Sequence, residues 1–191
     1  MSAEIIRKRF TVDEYHRMVD VGILEPKERL ELIDGEIVEM TPIGHRHFVR
    51  VLRVSTLFIK AFGDGAAVSV QSSIRLNDWT EPEPDLVVFK PRPDFYAGKK
   101  PTPQDVLFVM EVADTSLRYD RNVKVPLFAA AGIPEVWIED AKNDVLYVYR
   151  DPLGGNYAVT IEAKRGDLIS PIAFPDIQFP IDHLLGEPIT E

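Results

Sequence analysis

The chain has 191 residues, 45% of them hydrophobic, enough to bury a core of ordinary size and to set disorder aside as the default. Its 22 Lys and Arg face 31 Asp and Glu, a formal net charge of -9 that argues against a histone-like or polybasic nucleic-acid binder. With no cysteine, a disulfide scaffold, a Cys-ligated zinc site and a thiol nucleophile are excluded together. The charge is uneven: residues 131–191 hold 4 basic and 11 acidic side chains, so the first two thirds are nearly neutral. No apolar run approaches the roughly 20 residues of a membrane span. The start, MSAEIIRKRF, has a basic cluster with no apolar stretch behind it, unlike a signal peptide. The expectation is a soluble cytoplasmic protein with no membrane partner.

Thr11 and Glu14 form a capping box, which predicts a short helix to about Val21, stopped by Gly22 with Pro26 beyond. The segment RLELIDGEIVEM alternates apolar and charged residues about Asp34-Gly35, a strong hairpin signal. From His45 to Phe62 the apolar residues recur at three and four, with Arg46, Arg50, Arg53 and Lys60 on other faces, so an amphipathic helix with a basic side is expected. Strands follow at Ala67–Leu76, Asp85–Phe89 and Val106–Val112, the last two apolar enough to be central. Residues 94–103 read as a loop, and a helix over about Asp120–Ala131 is stopped by Gly132 and Pro134. Strands at Glu135–Glu139 and Val145–Tyr149 flank an Asn-Asp turn. Gly154-Gly155 then divides two possible strands before a Pro-punctuated tail ending near Leu185. The order helix, three strands, helix, strand predicts one α/β domain with a mixed sheet covered by helices.

Asp85 opens an apolar strand after Pro84, and Glu111 stands near the end of another. Carboxylates delivered at the ends of two strands of one sheet make an oxygen-ligand site suited to Mg2+ or Mn2+. Lys124, one turn into the following helix, would polarise water or stabilise phosphate charge and complete a metal-assisted hydrolytic site. Taken singly, these residues have plainer readings. Asp85 is a turn residue after a proline, Lys124 a solvated helix residue, and Glu111 an ion-pair partner of Lys124 or Arg121. Only their joint occurrence carries the inference.

The order Pro84-Asp85, then Glu111, in an α-β-β-β-α-β context resembles the PD-(D/E)xK nuclease superfamily. More closely, the stretches ERLELIDGEIVEM, EPEPDLVVFKPRPDFY, DVLFVMEVADTSLRYDRNVKVPLFAAAGIPEVWIED and VLYVYRDP resemble the bacterial putative restriction endonuclease family, over about residues 28–152. The superfamily's lysine is expected at the position that Ala113 occupies here. The resemblance implies that it has migrated to the following helix, as Lys124. It also implies a restriction-endonuclease-like core in a single domain spanning 1–191, with an N-terminal helix and hairpin and a C-terminal β extension over 153–191.

On this reading the protein is a metal-dependent endonuclease that hydrolyses DNA phosphodiesters. Asp85 and Glu111, with the Val112 carbonyl, would hold Mg2+ or Mn2+, and Lys124 would position the attacking water. Arg46, Arg50, Arg53, Lys90, Arg92, Lys99 and Lys100 are the candidate backbone contacts. Secondary candidates are Glu31 of the hairpin, suggested by the resemblance, then His47 and Gln71. Each has a plain alternative: an exposed hairpin residue, a helix-start residue, an outward strand residue. Of the His45-x-His47 pair, His47 is read as facing the site and His45 as surface. Asp114, Ser116 and Asp120 are better explained by helix capping. A homodimer or higher homo-oligomer is expected, because double-strand cutting needs two sites and Tyr147, Tyr149 and Tyr157 would form an exposed aromatic edge; the plain alternative is that these tyrosines belong to the core. The rival readings are a catalytically weak or inactive nuclease fold used for nucleic-acid binding or assembly, and a hydrolase of another phosphate ester. No Walker or Rossmann loop and no Gly-x-Ser-x-Gly elbow is present.

Overall fold

Thr11 caps the first helix as its sequence dictates. Its Oγ1 accepts from the Glu14 N–H at 3.1 Å, and Glu14 Oε2 accepts from the Thr11 N–H at 2.9 Å. The structure, a computed structural model, describes residues 7–25 and 29–187. The first six residues of the leader reading, with Pro26 and Glu28, lie outside the described residues. By packing, the chain divides into two compact units, Met1–Pro42 with Arg75–Pro82, and Ile43–Ile74 with Glu83–Glu191.

In the smaller unit, α1 (Val12–Asp20) ends ahead of Gly22, whose φ of 74° is a region that residues with a Cβ rarely adopt. The Lys8 ammonium and the Thr11 N–H hold the Glu14 carboxyl down to about 2. β1 (Leu30–Ile33) and β2 (Glu36–Glu39) pair antiparallel across Asp34 and Gly35, at φ 49° and 77°, the two left-handed residues of a tight hairpin turn. The segment 75–82 extends this hairpin. Glu81 N–H donates to the Leu32 carbonyl at 2.7 Å, and Gly35 N–H donates to the Trp79 carbonyl at 2.7 Å.

The larger unit is built on a six-stranded mixed sheet. After α2 (His45–Phe62) come β3 (Ala67–Val70), β4 (Leu86–Phe89) and β5 (Val106–Ala113). A helical crossover then leads to β6 (Glu135–Asp140), β7 (Val145–Leu153) and β8 (Asn156–Lys164). Strand order is β3-β4-β5-β6-β7-β8; β5 and β6 run parallel and every other neighbour antiparallel. β4 and β6 are buried at every residue and β5 at nearly every one, as their apolar runs predict for central strands. α2 lays Val51, Val54, Phe58 and Phe62 on the sheet, where Phe58 meets Phe108, Trp137 and Phe179 edge-on at 5.3–5.9 Å. A small pair, β9 (Leu168–Ile169) with β10 (Phe179–Pro180), and the helix α5 (Ile181–Leu185) close the chain. Among the described residues, no helix is long and apolar enough to cross a membrane.

Two expectations are corrected. The strand read from Ala67 to Leu76 stops at Val70, because Gln71 turns at φ 49°, where the Ser72 hydroxyl bonds the Ser69 hydroxyl and donates to the Val70 carbonyl. Gln71 is therefore not within a strand. The crossover helix begins before Asp120, as α3 (Leu117–Tyr119), a π turn (Asp120–Lys124) and α4 (Val125–Ala130). Pro126 explains the wide turn: it has no N–H to offer the Asn122 carbonyl, so the helix loosens just before it.

Candidate active site

β4 and β5 pair with Leu86 opposite Met110, which places Asp85 beside Glu111 at one end of the two strands. The Asp85 N–H donates to Glu111 Oε2 at 3.2 Å, so backbone and side chain lock the two acids together. Asp85 Oδ2 accepts the Val112 N–H at 2.8 Å, and Oδ1 lies 2.8 Å from His47 Nε2. An ionised carboxylate can only accept, so that nitrogen of His47 carries its proton. Lys124 closes the group by donating from Nζ to Glu111 Oε1 at 3.0 Å. Asp85, Glu111 and Lys124 are 6%, 3% and 2% exposed, so each charge depends on these partners in place of water.

Local structure delivers each of these side chains. Glu111 is on a strand that continues two residues past it. The π turn packs both Asp120 and Lys124 inward, and Ser116 Oγ donates to Asp120 Oδ2 at 2.6 Å. π turns of this kind recur at functional sites because the extra residue redirects a side chain. His47 sits in the first turn of α2, while His45 is exposed. Gln71 joins by its backbone, its N–H donating to the Asp85 carbonyl at 3.0 Å. Val112 likewise enters through its N–H. Glu31 is buried on β1 in the smaller unit.

The other cations scatter. Arg50 is not on a surface rim: it is 2% exposed, forms an ion pair with the wholly buried Glu139 and donates to the Ala141 carbonyl at 3.2 Å. Arg53 is half-buried, with its guanidinium on the Leu185 carbonyl at 2.5 Å, and Arg46 is half-buried on the same helix. Lys90, Arg92, Lys99 and Lys100 lie in the β4–β5 connection, at the opposite end of those strands from Asp85 and Glu111. The tyrosines do not make an open edge. Tyr149 is buried, Tyr157 is half-buried with its hydroxyl on the Ile133 carbonyl at 2.7 Å, and the Arg121 guanidinium covers Tyr147 at 4.3 Å. Sequence reading passed over Glu139, whose carboxyl burial pushes up to about 7 against the pull of Arg50. Its signal was an acid in the apolar strand EVWIED.

Among the described residues, no three His, Cys, Asp or Glu side chains are gathered for a metal ion. Two carboxylates bonded to each other's segments are nonetheless the donor set that Mg2+ takes, since it keeps several waters and needs one or two carboxylates beside substrate phosphates. Asp85 and Glu111 fit that requirement in number and in oxygen chemistry.

A family model, Uma2: Putative restriction endonuclease, matches residues 12–182. Among solved structures, the chain is similar to a putative nuclease belonging to DUF820 from Anabaena variabilis. The two share 17% identity at a TM-score of 0.71, over 92% of this chain and 97% of that one, which establishes a shared fold. Comparison with curated proteins finds no match.

Proposed function

The chain belongs to the Uma2 family of putative restriction endonucleases, and from that premise we propose a metal-dependent endonuclease that hydrolyses DNA phosphodiesters at Asp85, Glu111 and Lys124. One observation carries the assignment. Two acids from neighbouring strands and a lysine from the following helix share one buried hydrogen-bonded group, through Asp85 N–H to Glu111 Oε2 at 3.2 Å and Lys124 Nζ to Glu111 Oε1 at 3.0 Å.

Asp85 and Glu111 would hold Mg2+ or Mn2+, which when bound supplies Lewis-acid stabilisation of the scissile phosphate's charge. His47 and the Val112 N–H orient the Asp85 carboxylate, so its oxygens need not reorganise when substrate arrives. Lys124 is the side chain that would orient the attacking water and donate toward the phosphate as charge develops. A supercoiled-plasmid nicking assay with Mg2+ or Mn2+ tests the proposal. Cutting by the wild type that persists unchanged in Asp85→Ala and Glu111→Ala would sink it.

A second reading has its own support. Each of the four carboxylate oxygens of Asp85 and Glu111 already has a protein partner: His47, Val112 N–H, Lys124 and Asp85 N–H. A group closed in this way suits a nuclease fold retained for nucleic-acid binding without catalysis. It predicts salt-dependent binding and no metal-dependent cutting in the same assay.

A further inference from the structure

The β4–β5 connection holds one aromatic ring out in solvent. Phe95 and Tyr96 both adopt positive φ, 48° and 63°, a region that L-residues with bulky side chains rarely enter. A set of local bonds enforces it. Arg92 clasps Asp94 through Nε at 2.8 Å and Nη2 at 2.7 Å, and the Tyr96 and Gly98 N–H groups each donate to that carboxylate at 3.4 Å. The Tyr96 hydroxyl donates to the Lys90 carbonyl at 2.7 Å, its ring lies 5.6 Å from Phe89, and the Arg92 guanidinium sits 4.8 Å over it. One ring is thus consumed in building the loop. The other, Phe95, is 83% exposed, the most exposed large apolar side chain among the described residues.

Charge indicates what such a ring would meet. Lys90, Arg92, Lys99 and Lys100 against Asp94 and Asp105 leave this connection at +2, within a chain of net -9. Lys99 and Lys100, four and five residues after Phe95 in the same loop, are exposed, and no further large apolar group joins the ring in the loop, which a protein-binding patch would require. A lone preorganised aromatic in a loop of net positive charge matches the π face of a base and the phosphates on either side of it.

We propose that Phe95 stacks on an unpaired base of a bound nucleic-acid strand while Lys99 and Lys100 contact its phosphates, at a site remote from Asp85 and Glu111. The proposal rests on the nuclease reading and adds a substrate feature to it. From Asp85 to Phe89 the strand advances about 13 Å at 3.3 Å per residue. At the duplex rise of 3.4 Å per step that span alone covers about four base pairs, so the loop would hold unpaired nucleic acid beyond the base pairs next to the bond to be cut.

The test is fluorescence anisotropy in EDTA at low salt, with a labelled single-stranded oligonucleotide and a blunt duplex of the same sequence. Phe95→Ala is expected to weaken single-strand binding at least about fivefold and to affect the duplex less. Phe95→Trp retains affinity, and its emission is quenched on binding. The double variant Lys99→Ala, Lys100→Ala weakens binding and flattens its salt dependence. Unchanged affinity in Phe95→Ala, with steady emission in Phe95→Trp, overturns the proposal; if the wild type still nicks plasmid, the nuclease reading survives. A wild type that binds neither oligonucleotide also overturns it, and the nicking assay then decides whether the nuclease reading falls too.

Discussion

Lys124 Nζ lies 3.0 Å from Glu111 Oε1 with both side chains almost wholly buried, although 13 residues separate them in the chain. Residues 111 and 113 share a face of β5, so a lysine at position 113 would have served the same acid directly. Here Ala113 is packed at 1% exposure and the ammonium arrives from the π turn instead. Removing the cation leaves a buried acid that has lost its counter-charge. Lys124→Met is expected to cost roughly 3 kcal/mol of stability. Lys124→Met combined with Glu111→Gln should recover part of that loss while remaining without cleavage, as urea denaturation and plasmid nicking would show. Additive losses in the double variant would refute the coupling.

Metal binding should register in stability as well as in cutting. Mg2+ or Mn2+ at saturating concentration is expected to raise the wild-type melting temperature, because a ligand of the folded state alone stabilises it by mass action. Asp85→Asn should abolish the shift, and EDTA should abolish cutting. A shift of equal size in that variant places the ion elsewhere.

His47 holds the Asp85 carboxylate from α2 at 2.8 Å. Groups that orient a ligating carboxylate typically contribute 10–100-fold in metal affinity or activity. His47→Ala should therefore raise the metal concentration for half-maximal nicking about tenfold, and because its side chain is only 15% exposed and partners the buried Asp85, a lower melting temperature without metal should accompany it. An unchanged metal dependence would leave His47 a structural residue only.

The Arg50–Glu139 pair ties α2 to β6 in the interior. Above about pH 7, where Glu139 is ionised, Arg50→Met alone is expected to destabilise the protein by about 3–5 kcal/mol by leaving Glu139 without its counter-ion. Arg50→Met with Glu139→Leu should regain most of this. Thermal and urea unfolding of the three proteins would measure it.

Burial outweighs Arg50 at Glu139 and pushes its carboxyl from 4.5 to about 7. The folded protein therefore keeps a proton that the unfolded chain releases across that interval. The stability contribution of this group is full below about pH 4.5 and is lost as pH rises toward about 7. Glu139→Gln cannot titrate, so its urea midpoint should fall less than the wild type's over the same range. Equal slopes would contradict the shift.

Features governed by neighbours in the chain were legible from the residues. The Thr11–Glu14 capping box, the turn at Asp34-Gly35 and the full extent of α2 depend on local hydrogen bonds, left-handed φ and helical period, all encoded within a few positions. The resemblance carried the nuclease fold, and the pairing of Asp85 with Glu111 follows from strands that their apolar runs make central. Where long-range packing decides, local patterns misled. β3 stops at Val70 because Gln71 turns and the chain leaves for the smaller unit, which no short window records. Arg50 reads as one more cation on a basic helix face, yet its destination is an acid 89 residues away.

Residue types and spacing by themselves determined most of the elements, the central strands and the short list of acids and cations. Only the tertiary structure decided which of those charges are partners. It joined Lys124 to Glu111 and His47 to Asp85, buried Arg50, and put the Lys90–Lys100 cations at the far end of β4 and β5. The physical reason is that a charge is indifferent to its neighbours in water but must be matched once buried, and what buries it is the packing of segments distant in the chain.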